Sequence, residues 1–401
     1  MLVVQKYGGT SVGDCDRILN VANRVVETKR KGHGVVVVVS AMSGETDKLL
    51  GYTKHFSKIP NLRESDMVLS AGERVTSALL AIALEELGFK AISLSGRGAG
   101  IVTDNSHTKA RIQHIDTTKL NELLAKDYIV VVAGFQGVSE NGEVTTLGRG
   151  GSDLSAVALA GALGADLCEI YTDVDGVYTT DPRIEPKAKK IDKISYDEML
   201  ELASMGAKVL LNRSVEMAKK LDVNLVTRNS FNNNEGTLIT KETEIMEHPI
   251  VSGIALDKNQ ARVSICNVED RPGIAAEIFG ALSEANINVD MIVQTIGRDG
   301  KTDLDFTIPE VELENVKRVL KSFEGSVESI DYDSDIAKVS IVGVGMKSHS
   351  GVASKAFRAL AEDNINIMMI STSEIKVSMI ISLKYAELAI RTLHATYELE
   401  K

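Results

Sequence analysis

Cysteine is scarce in this chain of 401 residues: Cys15, Cys168 and Cys266 are scattered along it. They cannot build a disulfide framework and have no metal-ligand spacing, which points to a reducing, cytoplasmic setting. The seven histidines are dispersed, and none joins a cysteine in a zinc pattern. Long apolar runs are missing too. The five valines of Val35 to Val39 are far too few to cross a bilayer, and the opening MLVVQKYGG resembles no signal peptide. Positive charge is in deficit, with 45 Lys and Arg against 56 Asp and Glu and a formal net charge of -11. That balance argues against general affinity for nucleic acid or anionic membranes, but says nothing against local anion binding. No Walker-type GxxxxGKS/T occurs, and no GxGxxG follows the first strand pattern.

Up to about residue 245 the chain alternates strand and helix patterns. Leu2 to Gln5 reads as a strand, and Ile18, Leu19, Ala22, Val25 and Val26 recur at helical spacing up to Gly32. The valine run suits a strand buried on both faces. A second helix pattern carries Val75, Leu79, Ala83 and Leu87 and ends at Gly88, and strand patterns follow at 90–94, 129–133, 169–172 and 224–227. Such alternation predicts an α/β domain with a largely parallel sheet between helix layers, where ligands sit at the carboxyl ends of the strands.

The remaining third repeats itself. From Gly273 and Gly351 onward two segments align without a gap at an offset of 78, matching Phe279 with Phe357, Leu282 with Leu360, Asn286 with Asn364 and Ile292 with Ile370. Each copy runs strand, Gly-led helix, strand, strand, helix, the split βαβ plan. The first copy has room for a fourth strand at 326–332, whereas the second ends at YELEK. The strand pattern at 250–256, left over before the first copy, is expected to complete the second copy's sheet.

Four stretches carry chemistry. KYGGTS (6–11) sets a lysine at a strand end before two glycines and two hydroxyls, suited either to cradling phosphate or to an ordinary surface turn. LGRGGSD (147–153) adds a second glycine loop, with Ser152 and Asp153 at an expected helix N-cap. The planar fork of Arg149 fits a carboxylate or phosphate, or else pairs with a neighbouring acid. SAGER (70–74) places Glu73 and Arg74 on a helix whose charges could simply be its solvated face. TDVDGVYTTDPR (172–183) follows a strand and is dense in turn residues, compatible with a nucleotide or with a plain acidic loop.

Taken together, KYGGTS, VVVSAM, SAGER, TLGRGGSD, YTDVDGVYTTDPR and the paired DRPGI and GMKSHSGV units closely resemble the aspartokinases of bacteria, in the family's order and over essentially the whole chain. The likeness is greatest to the monofunctional, lysine-pathway type with tandem ACT domains. It implies an amino-acid-kinase-like αβα sandwich over 1–248 and two ferredoxin-like (βαββαβ) ACT domains over 262–335 and 336–401, the strand at 250–258 completing the second. The reaction would pass the γ-phosphoryl group of MgATP to the β-carboxylate of L-aspartate. By resemblance, Lys6, Gly8 and Gly9 hold the transferring phosphoryl group, with Asp153 in the catalytic set. Ser40, Thr46, Glu73, Arg149, Gly150 and Ser152 match aspartate-side positions. Thr172, Asp173, Tyr178, Arg183 and Lys208 join Lys6, Gly8 and Gly9 in binding ATP, and no residue is assigned to a metal.

The resemblance also implies feedback control by lysine, threonine or both. Asp270, Pro272, Gly273, Asn288, Asp290 and Gln294 match effector positions in the first repeat, and Val352, Asn366, Ile367, Ser373 and Glu374 match them in the second. Departures are present: Ser350 and Ala353 replace the family's proline and threonine, and Met368 and Met369 stand where an acid is frequent. Losing the hydroxyl at Ala353 would remove a hydrogen bond of roughly 0.5–1.5 kcal/mol. A homo-oligomer paired through the ACT domains is expected, and a separate regulatory subunit is known for this type. Two other readings stay open on residues alone, namely another phosphotransferase of the amino-acid-kinase fold, or a silent amino-acid sensor. SAGER and the paired repeats count against the first, and intact Lys6, Glu73, Arg149 and Lys208 against the second.

Overall fold

The computed structural model describes residues 1–204, 209–245, 249–296, 300–347 and 349–401. The chain divides into two compact units. One takes in Met1–Val177, Lys190–Ser204 and the described residues from 209 to 245; the other takes in Tyr178–Lys189 and the described residues from 249 onward.

The first unit is built on an eight-stranded sheet. Its strands are β1 (Leu2–Tyr7), β2 (Gly34–Val39), β3 (Ala91–Leu94), β6 (Ile129–Ala133), β9 (Leu167–Thr172), β10 (Lys193–Ser195), β11 (Leu225–Asn229) and β12 (Thr237–Thr240), in the order β10-β12-β11-β9-β1-β2-β6-β3. Every neighbouring pair is parallel except β11 with β12. A smaller sheet, in the order β5-β4-β7-β8, holds β4 (Ile101–Thr103), β5 (Ile112–Ile115), β7 (Gln136–Ser139) and β8 (Val144–Thr146). Helices α1 (Cys15–Arg30) and α4 (Ala71–Glu86) pack on the face carrying Tyr7, Val35, Val37, Val39 and Tyr171. Helix α6 (Gly151–Leu163) lies against β1, β2 and β9, with α8 (Asn212–Leu221) against it. The remaining helices are α2 (Glu45–Phe56), α3 (Leu62–Leu69), α5 (Thr118–Ala125) and α7 (Tyr196–Ser204). This is the expected αβα sandwich.

Two local expectations are corrected. The buried face of α4 runs through Gly72, Glu73, Thr76, Ser77, Leu80 and Leu84, while Val75 is exposed. Small and polar residues face inward there because a loop presses close, a Cβ on Gly72 meeting that of Ala41 at 2.7 Å. Ser152 and Asp153 are not the N-cap of α6. Gly150 is, at φ 67, and the two residues occupy the helix's first turn with their side chains turned inward. The 62–86 segment is long and apolar enough to cross a membrane by length and composition alone. It buries Asp66 and Glu73 inside the protein, which is the habit of a core helix pair.

The second unit holds two antiparallel sheets. In chain order the first repeat is β14 (Gln260–Glu269), α9 (Ile274–Glu284), β15 (Ile292–Ile296), β16 (Lys301–Pro309), α10 (Leu313–Leu320) and β17 (Ser329–Asp333), with sheet order β15-β16-β14-β17. The second is β18 (Ile336–Val342), α11 (Val352–Glu362), β19 (Ile367–Thr372), β20 (Lys376–Ser382) and α12 (Ala386–Thr396). Its sheet reads β13-β18-β20-β19, where β13 (Gly253–Asp257) precedes the first repeat and pairs antiparallel with β18, Gly253 opposite Val342. Thus β13 sits where β17 sits in the first repeat, beside the opening strand. Gly273 (φ 97) and Gly351 (φ 93) are the left-handed N-caps of α9 and α11.

At the entry to this pairing, a Cβ on Gly343 would collide with the Ile250 carbonyl and come within 2.8 Å of Val251 Cα. Gly343→Ala is expected to destabilise the protein by about 1–3 kcal/mol, read in urea unfolding, through overpacking against backbone. An unchanged midpoint would show that β13 is not held there.

Candidate active site

Strand β1 has β2 on one side and β9 on the other; the chain leaves the carboxyl end of β1 towards β2 and that of β9 the opposite way, towards β10. Such a switch point opens a crevice above the sheet. Four strand ends, those of β9, β1, β2 and β6, are laced together at its floor. Gly8 N–H donates to Tyr171 O (3.1 Å), Ser40 N–H to Tyr7 O (3.1 Å), and Gly134 N–H to Val39 O (3.0 Å). Glycine is needed for this crowding, since a Cβ on Gly134 would lie 2.8 Å from Ser152 Cβ and 3.0 Å from Val39 O.

The two glycine loops meet over that floor. Lys6 Nζ lies 2.5 Å from Asp153 Oδ1, and both side chains are largely buried. Asp153 Oδ1 has no aligned hydrogen-bond donor, so charge holds the contact. Ser40 and Ser152 share a hydroxyl–hydroxyl hydrogen bond of 2.8 Å. The Lys6 ammonium stands above Gly8, where a Cβ would reach it at 3.5 Å, and a Cβ on Gly9 would lie 3.0 Å from Ala41 O. Gly150 is closed to any side chain, which would overlap Leu211.

Glu73 is 3% exposed. Its Oε1 accepts from Ala41 N–H (3.2 Å), while Oε2 is buried with no partner among the described residues. Burial pushes this carboxyl up to about 7, against the opposing N–H groups of Glu73 and Ala41. A buried acceptor without a donor marks a place where a cation can bind. Arg149 is exposed, pairs with no acid among the described residues, and borders a cavity of about 250 Å³ with Gly150, Leu154, Leu211 and Arg213. The reading in which it merely neutralises a neighbouring acid falls away. Thr46 lies in the first turn of α2, half-buried.

On the β9 side, Thr172 donates to its neighbour Asp173 (3.1 Å) and Ser230 N–H to Thr172 O (2.8 Å). Asp175, missed from sequence, accepts from Asn229, Asn232 and Asn234, which holds its carboxyl below the usual range. The asparagine-rich RNSFNNN run was its signal. Tyr178 and Arg183 belong to the segment that falls in the second unit, and Arg183 forks Asp181 with its side chain 88% exposed. Lys208 lies outside the described residues.

Among the effector positions, Asp290 accepts from Lys338, a residue 4% exposed. Asp270 N–H donates to Gly300 O (2.8 Å), and Val352 O accepts from the Tyr397 hydroxyl (2.7 Å). Asn288, Gln294, Asn366, Ser373 and Glu374 are exposed and Ile367 half-buried. Met369 is buried with Met291, Ile336 and Ile380, and Met368 packs on them.

Residues 1–229 match the model of the amino acid kinase family, and 262–325 and 339–397 each match an ACT domain model. The aspartokinase of Helicobacter pylori strain J99 is 72% identical over the full length of both chains. The chain belongs to the aspartokinase family. The Pseudomonas aeruginosa aspartokinase is 54% identical over all of this chain and 98% of its own. The fold superposes on Escherichia coli aspartokinase III in complex with aspartate and ADP with a TM-score of 0.82, at 26% identity over 99% of each chain. The lysine and aspartate complex of that enzyme gives 0.79, also at 26% over 99% of each chain. The chain is an aspartate kinase, and its ACT repeats fit allosteric regulation.

A raised carboxyl binds its proton more tightly folded than unfolded, so Glu73's contribution to stability falls as pH rises from 4.5 towards about 7. If its ionised form receives an ammonium group, kcat/KM for aspartate should climb over the same range and level off above about 7. Glu73→Gln should lower kcat/KM and erase that limb; a pH profile unchanged by the substitution would exclude the role.

Proposed function

We propose that the α-carboxylate of aspartate binds Arg149 and its α-ammonium binds Glu73, leaving the β-carboxylate to face ATP. The observation that carries this reading is the orphaned oxygen of Glu73, buried next to a loop shared with Ser40. Ser40, Thr46, Gly150 and Ser152 line the amino-acid side. Thr172, Asp173, Tyr178, Arg183 and Lys208 serve the nucleotide. Escherichia coli aspartokinase III has been seen with aspartate and ADP together, which supports one shared crevice.

A carboxylate with a reference pKa near 4 is already ionised at neutral pH, so the nucleophile needs no general base. Its oxygen attacks the γ-phosphorus, the bond to the β,γ-bridging oxygen breaks, and ADP leaves with that electron pair. Lys6 moves from Asp153 towards the transferring group, whose charge it neutralises together with backbone N–H groups at Gly8 and Gly9. No three His, Cys, Asp or Glu cluster among the described residues. A magnesium ion would come in on the phosphates, since Mg²⁺ keeps several waters and few protein ligands. It would supply further charge neutralisation. We place the enzyme in the cytoplasm, inhibited by lysine, threonine or both, and paired as a homodimer through its ACT repeats. The lysine complex of the Escherichia coli enzyme supports the first effector.

Hydroxylamine trapping of the acyl phosphate tests both halves. Arg149→Ala should raise the aspartate KM by about tenfold or more while the ATP KM holds, since it loses ground-state and transition-state binding alike. An unchanged aspartate KM would remove it from the clamp. Lys6→Ala should act mainly on kcat, by roughly a hundredfold, because its contact strengthens in the transition state; an unaltered kcat contradicts the assignment.

A further inference from the structure

Arg149 is exposed and has no acid partner among the described residues, so the backbone turn beneath it, which sets where its Cα–Cβ bond points, is what limits its reach. That backbone is buttressed by Asp66, a residue of α3 that is 0% exposed and that the reaction does not touch. Asp66 Oδ1 accepts from Thr146 Oγ1 (2.5 Å) and Thr108 N–H (3.1 Å). Oδ2 accepts from the same N–H (3.0 Å) and meets His107 Nδ1 (2.8 Å). His107 Nε2 in turn faces Glu143 (3.5 Å), which Arg63 holds at 2.9 Å.

The consequence is a strained backbone. Thr108 has φ 67, a left-handed conformation that a β-branched residue rarely adopts and that persists only when its surroundings impose it. In that conformation its carbonyl lies under Gly148, where a Cβ would approach it to 3.1 Å, and Gly148 is itself left-handed at φ 78. Two residues on, Ala110 N–H donates to Thr146 O (2.9 Å), and Arg213 ties Leu147 O (2.7 Å) to Ala110 O (3.2 Å). The turn carrying Arg149 is therefore formed against the 104–110 loop, and that loop is locked from Asp66.

We propose that Asp66 is a positioning residue for substrate binding: by holding Thr108 left-handed it fixes the Gly148–Arg149 turn and aims the guanidinium at the aspartate carboxylate. This rests on the Arg149 reading above. Asp66→Asn weakens the double acceptor and should raise the aspartate KM by about tenfold, with the ATP KM nearly unchanged, as small misplacements of a binding group do. Adding Thr108→Gly should recover most of that loss, because glycine takes φ 67 without help. A merely structural role would move aspartate KM, ATP KM and kcat together, whereas here the loss and its rescue fall on the aspartate KM. Should Asp66→Asn fail to fold, Thr146→Val removes one bond to Asp66 at constant shape and should raise the aspartate KM by about threefold. The proposal is overturned by an unmoved aspartate KM, by failure of glycine to rescue, or by aspartate KM, ATP KM and kcat worsening together. If Arg149→Ala itself leaves the aspartate KM unaltered, the clamp reading has failed first. If Arg149→Ala raises it and Asp66→Asn does not, only the positioning role has.

Discussion

The contact on which the site depends is the ion pair between Lys6 and Asp153. It joins the last turn of a central strand to the first turn of the inner helix, and both groups are largely out of water. Removing one partner from a buried pair typically costs about 3–5 kcal/mol, because the other charge is left stranded. The surrounding architecture follows from accommodating it. Gly150 takes a left-handed N-cap so that α6 starts early enough to carry Asp153 inward, and Gly134 lets Ser152 settle on the sheet. On the proposed reading Asp153 holds the lysine at the crevice floor, from which it moves to the transferring group.

The regulatory repeats are interlocked by the same economy of chain. Since β13 precedes the first repeat yet completes the sheet of the second, the first repeat is inserted between two neighbouring strands of one sheet. Met291 from the first repeat is buried with Ile336, Met369 and Ile380 of the second, and Asp290 binds Lys338 across the same junction. Met369, read as a departure from an effector acid, is thus core at this junction. Each repeat keeps its own core, and this small shared cluster joins the two.

Much of this was legible. Five consecutive valines could be little else than a strand buried on both faces, and the repeat at constant offset announced two matched sheets. What escaped notice shares a cause, in that tertiary neighbours, rather than local pattern, decided it. Leu79, Ala83 and Leu87 do pack on the core, but Val75 of the same pattern is exposed, because the approach of Ala41 turns the Gly72–Glu73 face inward. Ser152 and Asp153 are good N-caps by type, yet their side chains are bonded to Ser40 and Lys6. Asp66 sat unnoticed because an aspartate in an amphipathic helix is ordinarily solvated, and its partners at 107, 108 and 146 are distant in sequence. The glycine loops left anion binding and an ordinary surface turn both open; that the 104–110 loop packs under Gly148 could not be read from them.

On the proposed reading no general base is required, which leaves the buried carboxylate of Glu73 for recognition. Burial drives the Glu73 carboxyl to about 7, so near neutrality the empty site holds a mixture of neutral and charged forms. An arriving ammonium favours the charged form and displaces the proton. A dicarboxylate without an amino group, such as succinate, offers no such compensation. It must either leave an ionised Glu73 unpaired in a dry pocket or bind against its neutral form, wasting the orphaned oxygen. On the proposed reading, discrimination for an amino acid would therefore come from the cost of a buried charge left alone, a larger lever than shape complementarity among small acids of equal length.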